Sequence, residues 1–183
     1  MNNKISVKKI TDKNYKINFN LYNQFIDNTL IDEFNLICML FNLNKDHFIE
    51  GSINTINENE NNKCIFVLVK PICKEFGFCQ RYIYLNLERS FKDRESNILG
   101  LPLNDVKFLP LQFHSYLNND SIVKTPIEKL EFKINRSKNN IIEIEITFSL
   151  DSTFYHFPMF ETLIKSFLKR IFRNLQQAYM LIK

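Results

Sequence analysis

The chain of 183 residues contains no tryptophan, only 3 glycines and 5 prolines, and no cysteine pair spaced as CxxC. Each shortage closes a class. With so little glycine and proline the chain is neither loop-rich nor of low complexity, and it has no glycine-rich phosphate cradle of the P-loop or dinucleotide type. Cys38, Cys64, Cys73 and Cys79 show no zinc-ligand spacing with one another or with His47, His114 and His156. They read as reduced thiols in a reducing compartment, and no metal or other cofactor is expected. No GxSxG nucleophile elbow occurs. The longest uncharged apolar run, Phe34 to Asn44, is too short to cross a bilayer, and Met1 to Lys9 lacks the apolar core of a signal peptide. A formal net charge of +4 is no nucleic-acid footprint. A soluble protein, made where it works or else carried there by a signal of another kind, is the expectation.

What the chain does have is apolar mass: 45% hydrophobic residues, 18 of them phenylalanine, enough for one domain with a sizeable core. We find no internal repeat and no linker, so the chain reads as a single domain over residues 1–183 with its core at about 13–182. The dominant stretch is the last. From Pro158 to Ile182 apolar residues recur in pairs, Leu163/Ile164, Phe167/Leu168 and Ile171/Phe172, then Leu175, Ala178/Tyr179 and Ile182. That spacing is one broad face of a helix. At 1.5 Å per residue such a helix is roughly 37 Å long, the width of a small domain. Pro158 suits its first turn and Glu161 its positive end.

The remainder is mostly strands. Lys13 to Tyr22 alternates, with Tyr15, Ile17, Phe19 and Leu21 on one side. Asn28-Thr29 opens a helix with Asp32 as a capping-box-like partner, and the helix ends near Asn42 to Asn44. Phe48 to Ile56 is a strand. Lys63 to Val69 is apolar on both faces, which predicts a central strand. Phe78 to Glu88 is a strand, Phe91 to Asn97 a charged loop, and Val106 to Leu117 a strand interrupted at Pro110. Glu128 to Asn135 and Ile141 to Leu150 form a hairpin around a polar turn from Arg136 to Asn140. A one-sided antiparallel sheet must cover its apolar face, and the last helix is the element long enough to do it. The predicted fold is α+β: a helix-grip, a curved antiparallel sheet of about six to seven strands wrapped around a long C-terminal helix, with a short helix after the first strand.

The junction of the last strand with the helix, Ile144-Glu-Ile-Thr-Phe-Ser-Leu, then Phe157-Pro158, Glu161 and the helix ending Leu175-Gln-Gln-Ala-Tyr179, resembles a cyanobacterial and plastid family of unknown function in the START / polyketide-cyclase-like (SRPBCC) superfamily. The run Phe66-Val-Leu-Val-Lys-Pro71 and the strand Tyr82 to Leu87 are similar too. The resemblance spans about Tyr15 to Tyr179. It implies the helix-grip fold, a photosynthetic lineage and a plastid (chloroplast) location, soluble or peripheral. It carries no catalytic residues. The chain departs from that family in lacking tryptophan near the helix tail.

Three readings of function follow. The first is a non-catalytic domain binding a hydrophobic small molecule, a lipid or a pigment, in a cavity lined by Ile144, Phe148, Leu163, Phe167 and Ile171; such pockets are mostly apolar and aromatic. Phe132, Phe160 and Phe172 belong to the same inward set. The alternative is an interaction or assembly factor with a filled core. It docks on a protein complex or anionic membrane surface through Lys165, Lys169, Arg170 and Arg173, or through the Phe91 to Leu101 loop. The third, an enzyme acting on a cyclic apolar substrate, requires His114 or His156 to converge with a carboxylate. Glu143 and Glu145 alternate on one strand and read as a solvated outer face.

Overall fold

The computed structural model describes residues 4–27, 31–71, 79–136, 140–151 and 160–182. In chain order the elements are β1 (Ser6–Lys9), β2 (Asn14–Tyr22), α1 (Glu33–Asn42), β3 (Phe48–Ile56), β4 (Asn59–Val69), β5 (Gln80–Lys92) and β6 (Glu95–Pro102). Two 3-10 turns (Val106–Phe108 and Leu111–Phe113) and α2 (His114–Leu117) follow, then β7 (Ile122–Lys124), β8 (Ile127–Arg136), β9 (Ile141–Leu150) and α3 (Phe160–Leu181). Nine strands make one sheet, ordered β1-β2-β9-β8-β6-β5-β4-β3, with β7 beside β5. The β5–β7 pair is parallel and the other pairs are antiparallel. The sheet curls, and α1 and α3 lie together on its concave face. The helix-grip prediction therefore holds, with nine strands in place of six or seven.

The extra strands are β1, β6 and the short β7. Where a loop was expected, β5 runs on to Lys92, turns at Asp93 with a positive φ of 55°, and returns as β6. β6 escapes a hydrophobic scan because its inward residues are Ser96, Ile98 and Gly100. Gly100 is required by close approach: a Cβ there would stand 3.0 Å from Leu87 Cδ2 and 3.2 Å from the Leu130 Cβ. A larger side chain would strengthen the strand pattern and break the packing.

The expected strand from Val106 to Leu117 is the clearest miss. Asp105 caps the first 3-10 turn, its carboxylate accepting from Lys107 N at 3.1 Å, and Pro110 opens the second. Both turns close locally, Leu109 N to Val106 O and Phe113 N to Pro110 O, each at 2.9 Å. This short-range bonding leaves Leu109 and Phe113 buried on the convex face of β4 and β5, against Cys64, Phe66, Leu68 and Tyr84. It also explains β4. That strand is apolar on both faces but is next to the β3 edge, not central. Ile65 and Val67 face the main core while Phe66 and Leu68 face this second one.

The first helix starts later than expected. Asp32 is itself the N-cap and accepts from Asn35 N at 3.1 Å, whereas Asn28-Thr29 lie outside the described residues. So do the turn residues 137–139, Cys73, Phe78, and the bend with His156 and Pro158. Arg136 is not a turn residue; it ends β8.

Polar side chains pin both helices. Asn23, buried after β2, donates from Nδ2 to Tyr179 O and Ile182 O, both at 2.7 Å, satisfying carbonyls at the end of α3 that have no helical partner. Gln176 Nε2 donates to Asn20 O at 2.8 Å. Asn44 joins α1 to α3: its Nδ2 donates to Leu40 O at 2.7 Å and to Ile171 O at 3.4 Å, and its Oδ1 accepts from Asn174 at 2.8 Å.

Candidate functional site

The concave face has two ends. At one end the space between helices and sheet is full. Ile142, Ile144, Phe172, Leu175 and Tyr179 are buried, and the rings of Phe19 and Phe172 stand 4.9 Å apart. An ion network closes this end. Glu33, only 1% exposed, accepts from Arg89 Nη1 at 3.0 Å and from Arg136, while Arg89 also holds Asp32 at 2.5 Å. Arg136 further donates to Ser96 Oγ at 3.2 Å and Ile31 O at 3.1 Å. Burial pushes the Glu33 carboxyl up, but hydrogen bonds from Ser96 and Arg136 outweigh it and hold it below the usual carboxylate range. The same contest, burial against the Arg89 hydrogen bond, leaves Asp32 low as well.

At the other end the packing opens into a cavity of about 270 Å³. Its floor is the inward rows of β4, β5, β8 and β9, including Val67, Ile83, Leu130, Phe132 and Phe148. Its roof is α1 through Ile37, Leu40 and Phe41, and α3 through Leu163, Phe167, Leu168 and Ile171. Phe148 is held against Tyr15, its cross-strand partner, ring centroids 5.2 Å apart and nearly parallel. Phe167 meets the His47 ring edge-on at 5.0 Å. The polar side chains of the lining are Lys70, Cys79, Arg81 and Thr125.

Phe148, Leu163, Phe167 and Ile171 thus face one space. Ile144 does not line it; it is buried at the filled end, and Ile146 occupies the corresponding wall position. Phe132 and Phe172 line the cavity too, and the side chain of Phe160 lies outside the description. The sequence puts Ile83, Leu85 and Leu87 on one side of their strand but does not assign Ile83 to the cavity, and the lining residue Arg81 went unremarked. That row is bounded by Arg81 at one end and Arg89 at the other, and a charge ending an inward row was the signal.

On the outer face of α3, Lys169, Arg170 and Arg173 are exposed. Lys165 differs: it is half-buried and bound to Glu161 at 2.5 Å. Glu143 is exposed, and Glu145 pairs with Lys16 at 2.6 Å. Of the histidines, His156 lies outside the described residues, and His47 and His114 do not converge with acids in the cavity. His114 Nε2 donates to Leu109 O at 3.0 Å. His47 Nε2 is buried without a hydrogen-bond partner among the described residues, and burial, then Arg170, pushes its pKa down. Neither lines the cavity. Among the described residues no group of three or more His, Cys, Asp or Glu is placed to hold a metal ion, and no helix is long and apolar enough to cross a membrane. Cys38, Cys64 and Cys79 are free, and burial pushes the thiols of Cys38 and Cys64 up.

Solved structures share this architecture. The human StarD13 (DLC2) lipid transfer and protein localization domain matches with a TM-score of 0.67 at 7% identity, over 97% of this chain and 84% of that one. The chain has the helix-grip fold of START domains. Human STARD10 matches at a TM-score of 0.64 and 11% identity, over 96% of this chain and 68% of that one. Human StAR-related lipid transfer protein 5 matches at 0.60 and 9% identity, over 96% and 86%. No family model and no curated protein matches the sequence. At such identities the likeness to START domains is one of fold.

Proposed function

We propose that the protein is a non-catalytic binding domain for a hydrophobic small molecule, a lipid or a pigment, held in the cavity between sheet and helices. The observation that carries this reading is the hollow itself: about 270 Å³ is left open beneath α3, on a concave face that is elsewhere closely filled. A protein interior normally closes such a space, because an apolar void forfeits contacts on every wall. That two of the similar structures bear the name of lipid transfer domains supports the same reading. Phe148, Leu163, Phe167 and Ile171 are the contact residues. The test is extraction of protein purified gently from its source, with absorbance and mass spectra of the extract. A stoichiometric apolar compound is expected, and Phe167→Ala alters its retention more than Lys169→Ala does. An empty extract together with equal effects of the two substitutions rejects the reading.

A second reading is favoured by Lys169, Arg170 and Arg173, three exposed cations on one face of α3. They suit docking on an acidic protein complex or anionic membrane. The filled core that went with this alternative fits poorly with the cavity, so docking would accompany ligand binding. Salt-sensitive association that survives reversal of all three to Glu rejects it. The photosynthetic lineage and plastid location rest on the resemblance of the strand–helix junction and on the Asn-, Ile-, Lys- and Phe-rich composition. Immunodetection in a plastid fraction is the expected result, and detection elsewhere alone removes them.

A further inference from the structure

The wall of the cavity offers a ligand almost nothing to hydrogen-bond. Its surface is carbon nearly throughout. The strands β2, β4, β5, β8 and β9, which line it, each lie between two others. Their backbone N–H and C=O groups therefore point along the sheet into ladders, not into the hollow. The helices of the roof keep theirs within each helix. At the polar residues of the lining the backbone is committed too: Lys70 N donates to His47 O at 2.8 Å and Thr125 N to Tyr82 O at 2.7 Å. Lys70 and Cys79 are exposed, and Arg81 already has an interaction of its own. The long stems of Lys70 and Arg81 add carbon to the wall. No described lining residue has a buried side-chain polar atom waiting for a partner.

We propose that the cavity takes a compact, uncharged hydrocarbon and excludes hydrogen-bonding groups, so that its ligand is selected by what the wall withholds. A hydroxyl or carboxylate carried inside loses its water and gains no partner, and the cost is far greater for the ionised group. Water is held off for the same reason, since it needs about two to four polar partners. The size follows from comparison: an apolar cavity of about 150 Å³ holds one benzene ring. At about 270 Å³ this one has room for a ring with a short chain, about ten carbons in all. Phe132, Phe148 and Phe167 give such a ligand aromatic walls to pack on. The proposal rests on the hydrophobic-ligand reading above and narrows it: the enclosed molecule is apolar from end to end.

Three ligands on one ten-carbon skeleton test it: butylbenzene, phenylbutanol with its hydroxyl at the chain end, and phenylbutyrate, titrated calorimetrically into delipidated protein at neutral pH. Butylbenzene binds tightest, the alcohol about tenfold or more weaker, and the carboxylate weakest. Ile83→Phe and Leu163→Phe, each growing into the hollow and each checked for folding by circular dichroism, remove butylbenzene binding. Lys70→Gln, at the exposed cation, leaves all three affinities unchanged. Equal affinity for hydrocarbon and alcohol, tighter binding of the carboxylate, or loss of carboxylate binding in Lys70→Gln overturns the proposal and leaves a hydrophobic site standing. So does butylbenzene binding that survives both filling substitutions in folded protein. If none of the three binds, the extract from the source decides: an apolar compound found there overturns only this narrower ligand, and an empty extract overturns both readings.

Discussion

The two ends of the concave face are built from the same elements and behave oppositely. Toward the C-terminus of α3, Leu175 and Tyr179 are buried, Asn23 and Gln176 fasten the helix to β2, and Glu33 bridges α1 to Arg89 and Arg136 on the sheet. Toward its N-terminus, Leu163 and Phe167 are only half-buried and look into open space. The apolar face of α3 is continuous across both. The lesson is that the periodicity of a helix sets which side turns inward, while the pins decide how closely that side is held. α3 packs chiefly on β2, β1 and α1, so the sheet from β8 to β4 is free to curve away beneath it.

The contrast can be broken from the filled end first. Replacing Arg136 by Met leaves the Glu33 carboxylate buried and short of a partner, and a stability loss of about 3–5 kcal/mol is expected in urea unfolding. Phe172→Ala, at a buried ring packed on Phe19, should cost a similar amount, about 3–5 kcal/mol, whereas Phe167→Ala should cost distinctly less, because its ring is only half-buried. Equal shifts in the unfolding midpoint for the two phenylalanines would erase the distinction between the ends. Asn23→Ala strands two carbonyls of α3 and should cost about 1–3 kcal/mol, with faster hydrogen exchange in the last helical turn but not around Leu163.

Acid sharpens the comparison differently. Glu33 and Asp32 titrate below their ordinary values of 4.5 and 3.8, so their contribution is fully present above those values. It is lost as pH falls through the lower folded-state values. Below about pH 4 the filled end should therefore loosen before the hollow end, seen as earlier exchange of α1 amides than of β4 amides. The smallest effect is a gain: Ile83→Phe, growing into the cavity, should raise stability by about 0.5–2 kcal/mol and reduce ligand retention. Destabilisation instead would mean that the hollow cannot take a ring.

Much of this architecture was legible in the chain. β3 and β9 have the bounds predicted for them, and the α3 stripe places Leu163, Phe167 and Ile171 together on the cavity side. The segment from Val106 to Leu117 was misread because a short apolar run carries no clear period, and its bonding is set by Asp105 and Pro110. β6 was hidden because two of its three inward positions, Ser96 and Gly100, are small, at Gly100 for reasons that lie on β5 and β8. Ile144 was assigned to the cavity because Ile142, Ile144, Ile146 and Phe148 share one side of β9, and alternation cannot say how far along a strand a void extends.

By itself the sequence determined an α+β chain with one amphipathic sheet and one long helix to cover it, since period-two and period-3.6 patterns are local properties of the backbone. Only the tertiary structure decided that α1 shares the roof, that Arg89 and Arg136 meet Glu33, and that Arg81 and Lys70 are among the residues lining an unfilled space. Those facts depend on the distance between layers and on partners remote in the chain. Neither is encoded in the spacing of residues along a single element.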